Sequence, residues 1–305
     1  MTDKPRRADT ESYWAESVIA TNTRKADDQL AFDTRSTVEI IAAYLESQRN
    51  DDATHSLGTV HYRGGEVEFA AGMELLASRD PLERVVGADV LAQLGWQNRT
   101  FLDESVDVLL GALRDPVESV VGAAIIALGH RASPRAIEAL LPFVEHPSAD
   151  IRHAVVHGLM PHDTPVVVEA LIKLSGDSDS GVRDWATFTL GSQFDSDSAA
   201  LREALHQRLG ESDPEIRGEA FLGLGRRRDM SIVPNVLREL EGDFHGSWAV
   251  EAAGLLGDPQ LIPALKALGH RLTGEDAEYF WGQLKAAIAA CEGRRLEETP
   301  ILARD

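Results

Sequence analysis

The stretch DPEIRGEAFLGLGRR, residues 213–227, decides the fold. It opens on Asp213-Pro214, an acidic N-cap and a proline that needs no amide donor in the first helical turn. Ile216, Ala220 and Leu224 follow at spacings of four, on one helical face. The stretch then closes on Leu224-Gly225. Equivalent closing pairs stand at Leu94-Gly95, Leu128-Gly129, Leu159-Met160, Leu190-Gly191 and Leu256-Gly257, so the six are separated by 34, 31, 31, 34 and 32 residues. A period in this range marks units that cannot bury their own apolar faces and do so only by stacking.

The register extends backwards from each closing leucine. Positions eight and four before it read Val86/Val90, Val120/Ala124, Ile151/Val155, Val182/Ala186, Ile216/Ala220 and Trp248/Ala252. A small or β-branched residue in the middle slot lets neighbouring helices approach closely. Helix starts are expected at Asp80-Pro81, Asp115-Pro116, His146-Pro147 and Asp213-Pro214, and left-handed C-terminal caps at Gly95, Gly129, Gly191, Gly225 and Gly257. A second apolar helix is expected in RAIEALLPFVE (135–145), VVVEALIKLSG (166–176), LREALHQRLG (201–210), IVPNVLRELEG (232–242) and QLIPALKALG (260–269). Each unit therefore reads as helix, turn, helix.

DSGVRDWATFTLG (179–191) and residues 213–227 resemble bacterial HEAT repeats of the short, PBS-lyase-like kind, in which a Val-Arg pair opens the first helix and Ala-Leu-Gly ends it. That pair stands at Ile151-Arg152, Val182-Arg183 and Ile216-Arg217, while Gly87, Val121 and Ala249 replace its arginine elsewhere. The resemblance covers roughly residues 66–270. It implies an all-α fold, a right-handed α-solenoid of about six to seven HEAT-like helix-turn-helix repeats. The expected organisation is a polar N-terminal segment (1–32) and a repeat solenoid (33–270), of which 33–79 form a degenerate N-terminal cap repeat. A C-terminal cap helix (275–291) and polar tail complete residues 271–305.

Composition limits the function. Thirty basic against 50 acidic side chains give a net charge of −20. Nucleic-acid affinity comes largely from Lys and Arg displacing counterions, so a nucleic-acid ligand is disfavoured and a basic partner favoured. The single cysteine, Cys291, excludes an internal disulfide. It lies in the cap helix with no activating neighbour in sequence and is expected to be inert. The leading residues have no apolar core of a secretory signal, and no stretch approaches the ~20 apolar residues of a membrane span. The expected location is cytoplasmic.

Few constellations suggest chemistry. His153 and His157 have HxxxH spacing, but Ala154 stands where a zinc protease needs Glu. His162 or Asp163 is the available third ligand, and two exposed histidines are the simpler reading. No His-Glu dipeptide occurs, which removes the di-iron hydroxylases of similar fold. Arg152, Arg183 and Arg217 recur with the repeat and are expected to pair with acids such as Asp179 and Asp213. Arg226, Arg227 and Arg228 form a tight basic run that could contact an anion, with Arg202 and Arg208 nearby in sequence. Trp185 and Trp248 are expected in inter-repeat seams. Tyr13-Trp14 could dock on the repeats or on a partner. His55, His61, Tyr62, Arg63, Gly64 and Gly65 lie in an irregular link of the kind that can carry function, or that marks an atypical terminal repeat.

The expected function is non-catalytic: a scaffold or adaptor binding a basic protein on its concave face, or an inhibitor or immunity-type protein. No nucleophile, base and oxyanion donor can be assembled from these spacings, and no cofactor or metal is expected. The partner surface is assigned to acids of the second helices: Glu104, Asp107, Glu138, Glu169, Glu203, Glu239 and Glu241. The alternatives are a PBS-lyase-like enzyme or subunit acting on a tetrapyrrole adduct, which the resemblance implies, and a HEAT-like DNA-binding or repair protein.

Overall fold

The structure is a computed structural model that describes residues 33–50, 55–242, 247–271 and 275–294. Among the described residues every regular element is helical. The chain divides into two compact units, residues 1–139 and 140–305.

The first unit holds α1 (Thr37–Arg49), α2 (Gly58–Arg63), α3 (Glu66–Leu76), α4 (Pro81–Ala92), α5 (Leu102–Ala112) and α6 (Glu118–Arg131). α7 (Ile137–Leu140) is a single turn at the boundary. The second unit holds α8 (Ala149–Leu159), α9 (Pro165–Leu174), α10 (Ser180–Phe188), α11 (Ala199–Arg208), α12 (Pro214–Arg226), α13 (Val233–Glu241), α14 (Trp248–Leu256), α15 (Ile262–Arg271) and α16 (Glu275–Cys291). First helices stack on first helices: α4 on α6, then α8 on α10, α10 on α12 and α12 on α14. α16 packs against α14 and α15, as a closing helix must. Residues 1–32 and 295–305, with Tyr13-Trp14, lie outside the described residues.

The three-slot pattern is the core. Val86, Val90, Leu94, Val120, Ala124, Leu128, Ile151, Val155, Leu159, Val182, Ala186, Leu190, Ile216, Ala220 and Leu224 are all buried, as are Ala252 and Leu256. Burying each large aliphatic side chain contributes about 1.5–3 kcal/mol. Trp248 fills its slot by lying over Gly218, where an added Cβ would stand 2.4 Å from the indole.

Helix ends depart from expectation in informative ways. Asp80 and Asp213 cap as expected, accepting from Leu82 N and Glu215 N, and Asp179 caps as well, accepting from Val182 N. α6 and α8 start two residues beyond their prolines, with Val117 and Ser148 as N-caps. Gly257 is a left-handed cap at φ 64°, whereas Gly95, at φ 72°, lies beyond the α4 C-cap Gln93 and opens the 3₁₀ turn Trp96–Asn98. Gly129 and Gly225 instead lie inside α6 and α12, and Ala132 and Arg228 take the left-handed cap at φ 49° and 48°. Gly191 lies in a π-turn, Thr189–Gln193. Its role is close approach, since a Cβ on Gly223 would stand 2.6 Å from Gly191 Cα. RAIEALLPFVE is broken into 3₁₀ turns on either side of α7, because Pro142 supplies no amide and excludes a continuous helix.

Candidate functional site

The cations of the repeats are drawn into the scaffold. Arg84, Arg152, Arg183 and Arg217 each stand four residues after their N-cap, at Asp80, Ser148, Asp179 and Asp213. Each donates Nη1 to main-chain carbonyls just before its own helix, such as Arg152 to His146 and Arg217 to Glu211, both at 2.8 Å. Each also forks onto a carboxylate: Arg84, Arg152 and Arg183 onto one that stands just before the first helix of the next repeat, and Arg217 onto Glu239 on the second helix of its own repeat. The pairs are Arg84–Asp115 at 2.7 and 2.9 Å, Arg152–Asp177 at 2.6 and 2.7 Å, Arg183–Glu211 at 3.2 and 3.4 Å and Arg217–Glu239 at 2.9 and 3.1 Å. The acids are therefore not Asp179 and Asp213, whose carboxylates cap helices. Arg84 also fills the arginine place expected at Gly87, because α4 starts three residues earlier relative to its closing leucine. The Arg152 guanidinium holds the Asp177 carboxyl below its ordinary range by hydrogen bonding.

The acids assigned to partner binding lie on the second-helix segments. In the first unit these are Glu104 and Asp107 on α5, and Glu138 on α7; in the second, Glu169 on α9, Glu203 on α11, and Glu239 and Glu241 on α13. Asp107 pairs with Arg135, and Glu239 is the half-buried partner of Arg217. Glu104, Glu138, Glu169, Glu203 and Glu241 are exposed, and none is in an ion pair among the described residues. The arginines face inward onto carbonyls and acids, and surplus carboxylates face outward.

A polar cleft lies within the first unit, lined by Tyr44, Gln48, His55, Leu57, His61, Asp89, Gln93 and His130 and about 490 Å³ in volume. The irregular link contributes His55 and, through α2, His61. His61 Nε2 lies 2.8 Å from the carbonyl of Asp89, so Nε2 carries the proton and donates. Burial depresses the His61 pKa to about 4. Burial raises the Asp89 carboxyl to about 6, opposed by the Tyr44 hydroxyl 3.5 Å away. The rest of the link is structural. Arg63 clasps the carbonyls of Asp33 and Arg35 at 2.7 and 2.8 Å, and Gly64, at φ 49°, abuts Gly95 so closely that a Cβ would stand 2.1 Å from its nitrogen.

A HEAT-repeat family model matches residues 71–160 and 106–191. YibA of Escherichia coli K12 is 26% identical over 225 residues, 70% of this chain and 78% of that protein. This chain therefore carries HEAT repeats over residues 71–191. The crystal structure of E. coli YibA matches with a TM-score of 0.63 at 24% identity, over 86% of this chain and 96% of that one. The CpcE–CpcF complex of phycocyanin lyase from Nostoc matches at a TM-score of 0.42 and 17% identity, over 72% of this chain and 94% of that one.

Within the HEAT frame the remaining candidate residues take defined places. Arg227 of the basic run clasps carbonyls of Leu190, Phe194 and Ser196 at 2.8, 3.1 and 2.7 Å, Arg226 pairs with Asp195, and Arg228 is exposed. Arg202 is engaged by Asp197 and Asp229, and Arg208 by Glu211 and the Ser175 carbonyl. His153 and His157 are half-buried rather than exposed. The His157 ring lies 4.5 Å from that of Trp185, which fills the seam between α8 and α10. Asp163 accepts from the amides of Asp195 and Ser196, both at 2.9 Å, in the loop after the π-turn. Cys291 is buried, donates to the Ala253 carbonyl at 3.3 Å, and burial pushes its thiol up to about 11. No helix among the described residues is long and apolar enough to cross a membrane. Periodicity concealed Asp89, Gln93 and His130, which lie on regular first helices; their only signal is a polar residue on a helix otherwise filled with apolar and small ones.

Proposed function

We propose that this HEAT-repeat chain is a non-catalytic interaction protein whose second-helix acids receive a basic protein partner. The observation that supports the reading is the asymmetry of charge use. Arginines of successive repeats are consumed by carboxylates and main-chain carbonyls within the stack, and Glu104, Glu138, Glu169, Glu203 and Glu241 remain exposed without cations. Such carboxylates steer a cationic surface and suppress anionic ones. Within each unit, stacked repeats present such acids at the spacing of the period, which suits a protein ligand. An inhibitor or immunity-type protein covering one basic partner is the sharper form of the same reading.

Affinity capture from native lysate at low and high salt tests it. The expected result is one stoichiometric partner with a basic surface, lost at high salt. Recovery of acidic partners only, or of none, overturns the reading.

A further inference from the structure

Arg131, at the end of α6, is 1% exposed. Its Nη1 donates to the Leu94 carbonyl at 3.0 Å and its Nη2 to the Thr100 carbonyl at 2.6 Å, while its buried Nε has no hydrogen-bond partner. Arg99 donates to the Arg131 carbonyl at 3.3 Å and brings a second guanidinium alongside. Among the described residues, neither arginine is paired with a carboxylate. Burial, and secondarily the charge of Arg99, push the Arg131 pKa down to about 10. It remains a cation at neutral pH, buried without a counter-charge, which is costly.

A later repeat supplies the control. Arg227 stands two residues after Leu224-Gly225's glycine, as Arg131 stands two after Gly129. Arg227 reaches the carbonyls of Leu190 and Ser196, 37 and 31 residues earlier; Arg131 reaches Leu94 and Thr100 at the same two separations. At Arg227 the surrounding positions carry Asp195, which pairs with Arg226, and Asp197, whose charge favours the Arg227 cation. The matching positions in the earlier repeat are Arg99 and Phe101, and His130 replaces Arg226. The same scaffold arginine thus stands without those acids and beside Arg99. Trp96, Arg99 and Phe101 are held there at φ 45°, 47° and 51°, a costly region for residues with a Cβ.

These residues open onto a cleft of about 430 Å³ lined by Ala92, Gln93, Trp96, Arg99, His130 and Arg131. The volume lies within the range of small-molecule sites. It adjoins the Tyr44–Asp89 cleft through Ala92, Gln93 and His130, which line both. Trp96 leaves part of its indole exposed at the rim.

We propose that this cleft binds a small molecule bearing an oxyanion, a carboxylate or a phosphate, held by Arg99 and His130 and supplying the counter-charge that buried Arg131 lacks. Gln93 offers a hydrogen bond to the remainder of the ligand and Trp96 an aromatic face. The inference is independent of the acidic partner surface and is tested without it.

Calorimetric titration of the full chain with inorganic phosphate and with citrate, and with glycerol as an uncharged control, is the experiment. One of the two anions is expected to bind at one site per chain and glycerol not at all; whichever anion binds more tightly identifies the head group. Arg99→Glu is expected to weaken binding about thirtyfold, the equivalent of about 2 kcal/mol for a charge-assisted hydrogen bond, and Arg99→Lys by less. Arg99 is exposed, so its variants fold, and their melting curves verify this. The proposal is overturned if neither anion binds the parent protein below about 10 mM, near the weak end of measurable affinities, or if folded Arg99→Glu binds as tightly as the parent.

Discussion

Arg152 and Arg183 meet on one residue. The Asp177 carboxylate accepts two hydrogen bonds from Arg152, at 2.6 and 2.7 Å, while its main-chain carbonyl accepts Nη1 of Arg183 at 2.9 Å. Glu211 repeats the arrangement: its carboxylate takes Arg183, and its carbonyl takes Arg217 at 2.8 Å. Successive repeats of the second unit are thereby linked through a chain of arginine, acid and carbonyl. Partial burial of these pairs makes them stronger than surface ion pairs.

Replacing Arg183 with Ala is expected to destabilise the protein by about 2–3 kcal/mol, because it leaves Glu211 and two carbonyls short of donors. Arg183→Lys should recover less than half of that, since ammonium cannot fork onto a carboxylate and reach the carbonyls together. Urea denaturation measures both. A loss below about 0.5 kcal/mol for Arg183→Ala, the range of ordinary surface substitutions, would show the linkage to be decorative.

Two glycines should respond with opposite signs to the same change. Gly223→Ala places a Cβ 2.6 Å from Gly191 Cα and is expected to cost about 1–3 kcal/mol by overpacking. Gly111, in α5, has nothing within 4 Å of an added Cβ, so Gly111→Ala should stabilise by about 0.5–1 kcal/mol through helix propensity. Thermal melting of the two variants beside the parent checks the pair. Equal effects would contradict the close approach of α12 to the π-turn.

His61 and Asp89 make opposing contributions to stability against pH. His61 has its folded pKa lowered from 6.5 to about 4, so the unfolded chain binds the extra proton and stability falls as pH drops from 6.5 towards 4. Asp89 has its folded pKa raised from 3.8 to about 6, so the folded state binds the extra proton and stability falls as pH rises from 3.8 to 6. Between pH 4 and 6 the two slopes largely cancel. Asp89→Asn removes one of them, and its stability relative to the parent should improve by about 3 kcal/mol as pH rises from 4 to 6. Denaturant curves at three pH values measure this. A difference that does not change with pH would contradict the burial of Asp89.

The fold was legible in the sequence because six apolar triplets at spacings of four, each closing on Leu, overdetermine it. Any single copy, such as Trp248/Ala252/Leu256, would be ambiguous alone. Helix ends were less legible. Gly95, Gly129 and Gly225 look like caps in sequence, yet close packing and capping both require glycine, and of the expected glycines Gly257 is the one that caps its helix. The arginine partners were misplaced by two residues, since an acid that caps its own helix, such as Asp179, is not free to fork onto Arg152. The cleft was half legible. His55 and His61 stand in a link whose irregularity is visible, but Tyr44, Asp89 and His130 reach it from three different helices, and one sequence without coordinates does not join them.

The most direct test of the partner-binding account compares two forms of the protein in the same capture experiment. One is the parent; the other has Glu104, Glu138, Glu169, Glu203 and Glu241 replaced by Gln, substitutions at exposed positions that leave the arginine linkages intact. The account predicts that the parent retains a basic protein at low salt and releases it at high salt, and that the five-fold variant, folded and equally stable, retains at least tenfold less, about 1.4 kcal/mol of binding free energy. Equal recovery by the two forms would contradict it.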